Sequence, residues 1–533
     1  MKKFMCLVLV FLLCFSLFPS ELKAEVPFED YIAIQPKYDF AKEFKEGLAA
    51  VKVGDKWGFI DKTGKEVIKP KYENVYGFNE GLAAVRLGKK WGFVDKTGKE
   101  VIKPKYDEVF GYLAVLDAKF KEGLSAVSLN GKFGYIDKTG KEVIKHKYLY
   151  ANHFSEGLAV VEDGYIDKTG KLIIKDSPSY DIGREDFSEG LASVSVMGKH
   201  VNDILYGYIN KSGKLVIKPK YKVAYSFSEG LAAVEIDGKF GFINKEGKVV
   251  IKPTYYVARD FSEGLASITL EKDKRLVDGY INKKGEVVGK IQYGRTSDFS
   301  EGIASVFSMK YYRWGIMDKS GKELIPAENP GYVGKSSEGL IVFSTDNKKY
   351  GYLKNPLGAI SQYKDFFPDE YWSQPMEWAV NENIIKGYAE TNGTYIKPTQ
   401  TLTEAEWITL FFREIFKEEL TSLEKQNAGN WWANPSYTLA SKYNIKTKGS
   451  ITNQQVANQP ITRGTLAQML ASFINKKQLT EEEAIQFLWE NKLTTEEPSR
   501  YKPNNSLTRA EAITFFFRYY TSQLDRTPGV ILE

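Results

Sequence analysis

The sequence predicts a mainly β repeat array followed by a small α-helical domain, and three observations support this fold class. The phrase Glu-Gly-Leu, once Glu-Gly-Ile, recurs nine times in the first two thirds of the chain. Most copies are followed by an aromatic-glycine pair and then by a turn that ends in glycine. Beyond about residue 360, apolar residues follow the spacing of helices instead of strands. At 533 residues, the chain also exceeds what one hydrophobic core usually serves.

Residues 1–24 are predicted to be a signal peptide. Lys2 and Lys3 precede an apolar run from Phe4 to Phe18, and Leu22-Lys23-Ala24 resembles a cleavage site. The run is too short to favour a membrane span, and no second apolar run of about twenty residues follows. We therefore expect a secreted protein without a membrane span.

Both cysteines, Cys6 and Cys14, lie inside the predicted signal peptide. A lipoprotein site at Cys14 is an alternative, but Leu12 and Leu13 before it are larger than such a site prefers. After cleavage at Ala24 the chain would contain no thiol, so we expect neither a disulfide nor a cysteine metal ligand.

The charge pattern argues against nucleic-acid binding. The net charge of +6 is small, and the lysines recur evenly along the repeats instead of forming one basic face. Evenly spread lysines on exposed strands are typical of edges protected against aggregation. We expect no nucleic-acid partner.

Residues 25–360 contain nine repeat units. The glycines of their Glu-Gly phrases are Gly47, Gly81, Gly123, Gly157, Gly190, Gly230, Gly264, Gly302 and Gly339. In the first unit, Leu48 to Val53 and Lys56 to Ile60 predict two strands joined by a hairpin at Gly54-Asp55. A third strand, Glu66 to Lys69, is predicted to end at Pro70.

Two details of this unit predict its packing. Asp61-Lys62-Thr63-Gly64 fits a type I turn, with the aspartate accepting from the backbone and Gly64 in the left-handed conformation. Gly58 predicts that a neighbouring backbone comes close. Three short antiparallel strands cannot bury their own aromatic residues, so stacking on neighbouring units must complete each core.

The array resembles the WG-repeat family, also called KWG repeats. The resemblance rests on the linked Glu-Gly-Leu, aromatic-glycine, Asp/Asn-Lys-x-Gly and Ile-Lys-Pro-Lys-Tyr elements. It implies an all-β array with no defined chemistry. Nine units exceed the usual blade number of a propeller, and thirty-four residues is short for a four-stranded blade. We therefore expect an open superhelical stack in preference to a closed propeller.

The repeated acidic residues do not predict catalysis. Asp61, Asp95, Asp137 and Asp167 begin equivalent turns, whereas a glycosidase needs two carboxylates in unlike environments. No catalytic residue, cofactor or metal site is predicted, because the three histidines, His146, His153 and His200, occupy unrelated contexts. We expect no enzymatic activity.

The regularly placed tryptophans Trp57, Trp91 and Trp314 are expected to form the core between units. A weaker hypothesis is that flat rings on a repeating surface bind a repeating polymer. The ligand or protein partner of the array stays unknown at this stage.

Residues 361–533 show helical patterning. Thr403 with Glu406 and Thr508 with Glu511 are predicted capping boxes, and Thr462 stands at a third helix start. The segment resembles three S-layer homology motifs, at about 363–420, 430–476 and 478–522. The motif elements present include Ile384-Ile385-Lys386-Gly387-Tyr388, Gly393-Thr-Tyr-Ile-Lys-Pro398, Ile461-Thr462-Arg463-Gly464 and Leu507-Thr-Arg-Ala-Glu511.

This resemblance implies a three-lobed helical module that binds secondary cell-wall polysaccharide non-covalently. The binding residues it implies here are Arg463, Arg509, Asp365, Trp372, Gly387 and Trp431. A guanidinium at a helix start can bind an acidic sugar bidentately. The first motif carries Glu404 where the others carry arginine, so its groove is not expected to bind an anion in that way. A second reading is that the two arginines only pair with nearby glutamates.

Taken together, the sequence predicts a secreted bacterial cell-surface protein that is held on the cell wall by its C-terminal motifs and displays a β array. Two other functions are compatible with the sequence. One is a wall-associated glycan hydrolase with an active site hidden in the array, and the other is a structural protein of a surface lattice.

Overall fold

The computed structural model describes residues 27–109, 119–176, 185–197, 204–328, 331–367, 370–390, 393–427, 430–527 and 529–532. The predicted signal peptide and His200 lie outside these residues. The described chain forms a ring of small sheets followed by a helical region.

Nine antiparallel sheets, the blades, form the ring. Blades 1 and 2 contain Phe40–Lys45, Leu48–Val53, Lys56–Asp61 and Glu66–Tyr72, then Asn74–Val75, Leu82–Leu87, Lys90–Asp95 and Glu100–Tyr106. Blades 3 to 6 contain Leu124–Leu129, Lys132–Asp137 and Glu142–Tyr148; Leu158–Val161, Gly164–Asp167 and Leu172–Lys175; Leu191–Met197, Ile204–Asn210 and Leu215–Tyr221; Leu231–Ile236, Lys239–Asn244 and Val249–Tyr255. Blades 7 to 9 contain Val257–Ala258, Leu265–Lys272, Arg275–Asn282 and Val287–Tyr293; Arg295–Thr296, Ile303–Ser308, Arg313–Asp318 and Glu323–Ile325; Tyr332–Ser337, Leu340–Ser344, Tyr350–Lys354 and, from the N-terminal side, Ile32–Tyr38.

The ring is closed by the pairing of its first strand with its last repeat. Ile32–Tyr38 runs antiparallel to Tyr350–Lys354, with Ile34 opposite Tyr352 and Tyr38 opposite Tyr350. Because the last repeat supplies only three strands of its own, this pairing completes blade 9 as a four-stranded sheet. The predicted open superhelical stack is therefore wrong, and the array is a nine-bladed β-propeller.

The short repeat fits a blade because the innermost strand is reduced. In blades 2, 7 and 8 this strand has two residues, and in blades 3 to 6 the described part is not a named strand and is marked by isolated bridges such as Ala224 to Val234. The prediction of three strands per unit thus holds for blades 3 to 6, whereas the others have four. The outer strand continues through Pro70 to Tyr72, further than predicted, because proline is tolerated on an edge strand.

The predicted turn at Asp61 and the predicted close approach at Gly58 are confirmed in the first unit. The Asp61 carboxylate accepts from the N–H groups of Thr63 at 2.9 Å and Lys65 at 3.0 Å, and Gly64 has a φ of +81°. A Cβ at Gly58 would lie 2.4 Å from the carbonyl oxygen of Ile68, so the close backbone is the outer strand of the same blade.

The core lies between the blades. Trp57 and Phe59 of blade 1 are buried in one cluster with Phe78 and Val85 of blade 2, and the rings of Phe59 and Phe78 meet at 4.9 Å. Trp91 is buried in the next such cluster, whereas Trp314 is half-buried. These contacts agree with the expectation that stacking completes each core.

A ring of glutamates joins neighbouring blades at one face of the propeller. Glu46, in the left-handed conformation at φ +53°, accepts from the N–H of Gly81 at 3.0 Å and pairs with Lys96 at 3.1 Å. At the closure, Glu338 makes the same bond to the N–H of Gly47, also at 3.0 Å. The nine members are Glu46, Glu80, Glu122, Glu156, Glu189, Glu229, Glu263, Glu301 and Glu338. We call this end of the propeller the glutamate face.

In the part of the helical region that the structure describes there are eight α-helices: α1 Ser373–Asn381, α2 Glu404–Ile415, α3 Lys417–Gln426, α4 Asn434–Lys442, α5 Gln454–Ala457, α6 Arg463–Asn475, α7 Glu481–Glu490 and α8 Arg509–Thr521. Short 3-10 helices span Phe28–Tyr31, Gly358–Gln362 and Pro498–Arg500, and a hairpin pairs Tyr388–Glu390 with Gly393–Tyr395. One shared apolar core includes Trp407, Phe411 and Phe516 from two of the helices. None of the helices in the described ranges is long and apolar enough to cross a membrane.

The helical region contacts the glutamate face at blades 7 and 8. The Nζ of Lys319 donates to the carbonyl oxygen of Lys364 at 2.8 Å and lies 3.2 Å from Glu263. The ring of Phe367 covers the same ammonium at 4.9 Å. The Lys319 side chain is 0% exposed, whereas its equivalent Lys283, paired with Glu229, is 45% exposed. The helical region therefore buries one ion pair of the glutamate ring and leaves others open.

Candidate functional site

Three helices of the helical region begin beside a closed cycle of three backbone hydrogen bonds. The N–H of Leu402 donates to Leu507 at 3.1 Å, that of Leu507 to Ile461 at 3.0 Å, and that of Ile461 back to Leu402 at 2.8 Å. These residues immediately precede the helix caps of α2, α8 and α6. The three predicted motifs therefore meet around a pseudo-threefold axis, and equivalent residues occupy equivalent surroundings.

The helix starts follow the predicted capping. Thr403 with Glu406 and Thr508 with Glu511 form complete capping boxes. At the start of α6, the Thr462 hydroxyl accepts from the N–H of Thr465, and the third helical position holds no carboxylate. Because the caps fix the first turn, they also fix the residue after each threonine.

The residue after each cap is Glu404, Arg463 or Arg509, and all three side chains are buried. Their exposed fractions are 3%, 9% and 5%. Each points toward a loop of the next motif in the cycle and forms a groove with it, and we name the grooves after these residues. Charged groups buried this deeply need partners, and the three grooves provide different ones.

The Glu404 groove holds its carboxylate by hydrogen bonds. Glu404 accepts from the Tyr437 hydroxyl at 2.9 Å and from the N–H groups of Lys448 and Gly449 at 2.9 and 2.8 Å. Burial and the neighbouring carboxylate raise the pKa of the Tyr437 hydroxyl. The acceptor in this groove is thus supplied by the protein itself, which agrees with the expectation that the groove does not take an external anion.

In the Arg463 groove the guanidinium is paired internally. Its two terminal nitrogens lie 3.2 and 3.0 Å from the carboxylate oxygens of Glu496. The guanidinium also lies over the ring of Tyr501, 4.8 Å from its centroid. This fork-to-carboxylate pairing occupies the part of the arginine that would hold an acidic ligand.

The Arg509 groove has a different composition. Its guanidinium donates to the Tyr388 hydroxyl at 2.8 Å and to the carbonyl oxygen of Lys386 at 3.0 Å. The Nζ of Lys397 lies 4.8 Å from the centroid of the Tyr388 ring and 2.7 Å from a carboxylate oxygen of Glu390. Among the residues that the structure describes, no carboxylate lies within ion-pair distance of Arg509.

A second guanidinium, that of Arg413, lies close enough to Arg509 for the two charges to interact. Burial lowers the pKa of the Arg413 guanidinium. The charge of Glu424 raises this pKa, and the charge of Arg509 lowers it further. A buried guanidinium that lacks a carboxylate partner is an energetically costly arrangement, and an anionic ligand would relieve it.

The other residues predicted for this site have structural contacts. Asp365 accepts from the N–H groups of Ile396 and Lys397 at 2.8 and 2.7 Å, so it fixes the loop that carries Lys397. A Cβ at Gly387 would lie 2.2 Å from the ring of Tyr363, which explains the glycine beside Tyr388. These two residues thus shape the Arg509 groove from one side.

Trp372 and Trp431 pack against other aromatic side chains. Trp372 is buried against Phe366, with the ring centroids 6.1 Å apart. Trp431 is half-buried and stacks on Tyr437 at 5.5 Å, which places it beside the Glu404 groove.

Sequence reasoning missed Tyr388 and Glu496 as determinants of the grooves. Tyr388 ends the motif element Ile384-Ile385-Lys386-Gly387-Tyr388, and its place directly after Gly387 is an available signal. Glu496 lies in the third motif ahead of Leu507-Thr-Arg-Ala-Glu511, and no local pattern predicts that it contacts Arg463.

The acidic and histidine residues of the array can be compared where the structure describes them. Within the described ranges, no group of three or more His, Cys, Asp or Glu side chains gathers where it could hold a metal ion. His146 contacts Glu142 and stacks near Tyr106, at a centroid distance of 6.1 Å. His153 is buried inside blade 4.

Eight segments match the family model described as WG containing repeat: residues 32–57, 57–91, 91–113, 133–163, 164–199, 206–240, 240–272 and 279–307. No curated protein sequence matches the chain. The crystal structure of a eukaryotic initiation factor is 10% identical, with a TM-score of 0.34 and coverage of 59% of this chain and 83% of that one. Hsv2 of Kluyveromyces lactis is also 10% identical, with a TM-score of 0.26 and coverage of 53% and 94%. At these low scores the two likenesses carry no argument about function. The propeller of this protein is thus built of WG-containing repeats.

Proposed function

We propose that this protein is a secreted bacterial surface protein that its helical region holds non-covalently on secondary cell-wall polysaccharide. The proposal combines the resemblance to S-layer homology motifs with the composition of the Arg509 groove. In this view the propeller is the displayed part, and the protein binds and presents instead of catalysing.

The observation that carries the proposal is the missing carboxylate at Arg509. The three grooves share one backbone frame, yet Glu404 is held by backbone N–H groups and Arg463 is paired with Glu496. Within the described ranges Arg509 donates only to two neutral oxygens, those of the Tyr388 hydroxyl and the Lys386 carbonyl. An acidic sugar on the polymer would supply the negative charge that the other two grooves already contain.

The test is a pull-down of the full-length secreted protein on purified wall sacculi, with and without their secondary polysaccharide. We expect retention only when the polymer is present. Arg509→Ala is expected to weaken retention at least about tenfold, the equivalent of roughly 1.4 kcal/mol. Arg463→Ala is expected to have a smaller effect, because its fork already binds Glu496.

The exposed Arg500 provides a matched control, because Arg500→Ala removes the same charge outside the grooves. Circular dichroism of each variant establishes that the helices are intact. Equal retention on stripped sacculi, or equal losses for Arg500→Ala and Arg509→Ala, would contradict the proposal.

A further inference from the structure

The face of the propeller opposite the glutamate face carries a continuous set of aromatic rings. Phe40 and Trp57 both lie opposite Lys52 in their sheet, at the end of the blade remote from Glu46-Gly47. From Trp57 the rings continue over three blades, and we call this set the aromatic belt: Trp57, Phe40, Tyr350, Tyr332, Trp314 and Phe307. Successive centroids in it are 5.8, 5.1, 6.1, 6.2 and 5.4 Å apart.

The belt departs from the repeat pattern. Phe307 lies opposite Trp314, in the place that Lys52 and Arg86 take in blades 1 and 2. Phe40 and Tyr332 are 44% and 37% exposed. Phe40 contacts Tyr350 of blade 9 and Tyr332 contacts Trp314 of blade 8, but the exposed fractions leave part of each ring available to a ligand.

A cavity opens beside the belt where blade 9 meets blade 1. It has a volume of about 420 Å³, which lies within the range of small-molecule sites, roughly 300–1,000 Å³. Phe40, Tyr332 and Tyr350 supply aromatic walls, and Lys42, Glu43 and Lys45 supply polar groups.

Two glycines make room for this cavity. Gly334, on the innermost strand of blade 9, stands where blades 1, 2 and 7 carry Lys42, Tyr76 and Arg259. Gly77, in blade 2, stands where blade 1 carries Glu43. Gly334 and Gly77 lie on the two sides of blade 1. Because neither has a side chain, the inner wall of the propeller leaves space beside the polar residues of blade 1.

The charges near the cavity argue for an uncharged ligand. Glu43 balances one of the two lysines. Other blades place Glu185, Asp260 and Asp298 on their innermost segments, and Asp260 lies close enough to the other two that their charges, after burial, raise its pKa to about 6. Lys335, next to Gly334, pairs with Asp298 at 2.6 Å, so positive and negative groups are mixed on the inner wall. This mixture favours neither a polyanion nor a polycation, and the three charged groups in the cavity disfavour a lipid chain.

We propose that the cavity and the aromatic belt bind a neutral carbohydrate. A pyranose ring presents a face of C–H groups that can stack on the aromatic walls, while its hydroxyls can both donate and accept hydrogen bonds. The Lys42 ammonium donates to the carbonyl oxygen of Val75 at 2.8 Å. Like that of Lys45, it carries three N–H groups, so each lysine can also donate to a sugar hydroxyl while Glu43 accepts. A chain of sugars would extend from the cavity along Tyr332 toward Phe307. This site is independent of the helical region and does not rest on its proposed anchoring role.

The experiment titrates the full-length secreted protein with chitotetraose and with cellotetraose and follows tryptophan fluorescence, since Trp57 and Trp314 belong to the belt. We expect a saturable change for at least one of them, with a Kd of about 1 mM or tighter. Phe40→Ala combined with Tyr332→Ala is expected to weaken binding at least about tenfold.

A second variant fills the cavity without removing any contact. A Cβ at Gly334 would lie 3.4 Å from the Tyr332 hydroxyl oxygen and 3.5 Å from the carbonyl oxygen of Val342, which are ordinary contacts. Gly334→Leu should therefore place a side chain in the cavity and abolish binding. Tyr225→Ala, on a ring that is 43% exposed in blade 6, is the matched control and should bind normally. The proposal is overturned if neither oligosaccharide binds at about 10 mM, or if Tyr225→Ala loses as much affinity as Gly334→Leu.

Discussion

The propeller and the helical region both repeat a structural unit, but they use the repetition differently. In the propeller, nine glutamates at one position make the same bond to the next blade. In the helical region, the three equivalent positions after the caps hold Glu404, Arg463 and Arg509, and each has different partners. Identical residues at a repeated position therefore indicate a frame, whereas different residues on an identical frame indicate where individual chemistry lies.

The largest expected loss of stability follows from disrupting the closure of the propeller. Ile34 is buried in the strand that completes blade 9. Ile34→Asp places an unpaired charge in that core and should cost about 4 kcal/mol or more. Chemical unfolding followed by tryptophan fluorescence measures the loss. Ile173→Asp, on an exposed position of an outer strand in blade 4, is the control and should stay within about 1 kcal/mol of the wild type.

The frame of the helical region can be tested at Glu404, which stands where the other two motifs carry arginine. Glu404→Ala removes the acceptor of the Tyr437 hydroxyl and of two backbone N–H groups, all of which stay buried or partly buried. We expect a destabilisation of about 3 kcal/mol, because unsatisfied buried donors keep their desolvation cost. Thermal unfolding monitored by circular dichroism at the helical signal is the measurement. Glu482→Ala, on the exposed side of α7, should change little, and an equal loss in both variants would contradict the role of Glu404.

A smaller effect compares two copies of one contact in the propeller. Lys319 and Lys283 make the same ion pair with glutamates of the ring, but only Lys319 is covered by the helical region. Lys319→Ala should destabilise by about 2 kcal/mol, since Glu263 stays buried and keeps two backbone N–H donors. Lys283→Ala should cost less than about 1 kcal/mol. Limited proteolysis near Phe367 should accelerate for Lys319→Ala alone, and equal behaviour of the two variants would refute the docking contact.

The smallest expected effect concerns pH. Burial, and then the charges of Asp298 and Glu185, raise the pKa of Asp260 to about 6. The folded form holds this proton more tightly than the unfolded form. The contribution of the protonated carboxyl to the free energy of unfolding is therefore lost as the pH rises from about 4 to about 6. Asp260→Asn should therefore raise Tm relative to the wild type at pH 7 and not at pH 4. Differential scanning calorimetry at both values measures this, and an equal shift at the two pH values would contradict it.

Sequence reasoning was accurate where the cause is local. The Asp61 turn, the Gly54 hairpin, the close approach at Gly58 and the helix caps depend on neighbouring residues, and the structure contains them as predicted. Each follows from one residue's conformational freedom or hydrogen-bonding capacity.

Closure could not be predicted in the same way. It depends on the small rotation between neighbouring blades, which no single repeat encodes, and on pairing between strands at opposite ends of the array. The glutamate ring had a visible signal, since the same glutamate recurs nine times beside a glycine. Its partner, however, is the backbone N–H of the next unit, and sequence patterns do not display such contacts between units.

In the candidate site, the sequence located the arginines and the capped helix starts but not their partners. Arg463 and Arg509 have nearly the same local sequence, yet one contacts Glu496 and the other Tyr388. These partners come from different motifs, so the distinction depends on the pseudo-threefold assembly instead of on either arginine's neighbours.

The strand that closes the ring also sets the order in which the propeller can be completed. Ile32–Tyr38 leaves the ribosome long before Tyr350–Lys354, so the first strand has no partner in its own chain during most of synthesis. Contacts between such distant segments form late in folding. Until then both ends of the array present unpaired strand edges, which can pair with another copy of the chain. Ring closure thus doubles as protection against strand exchange, and it becomes available only after the ninth repeat has emerged.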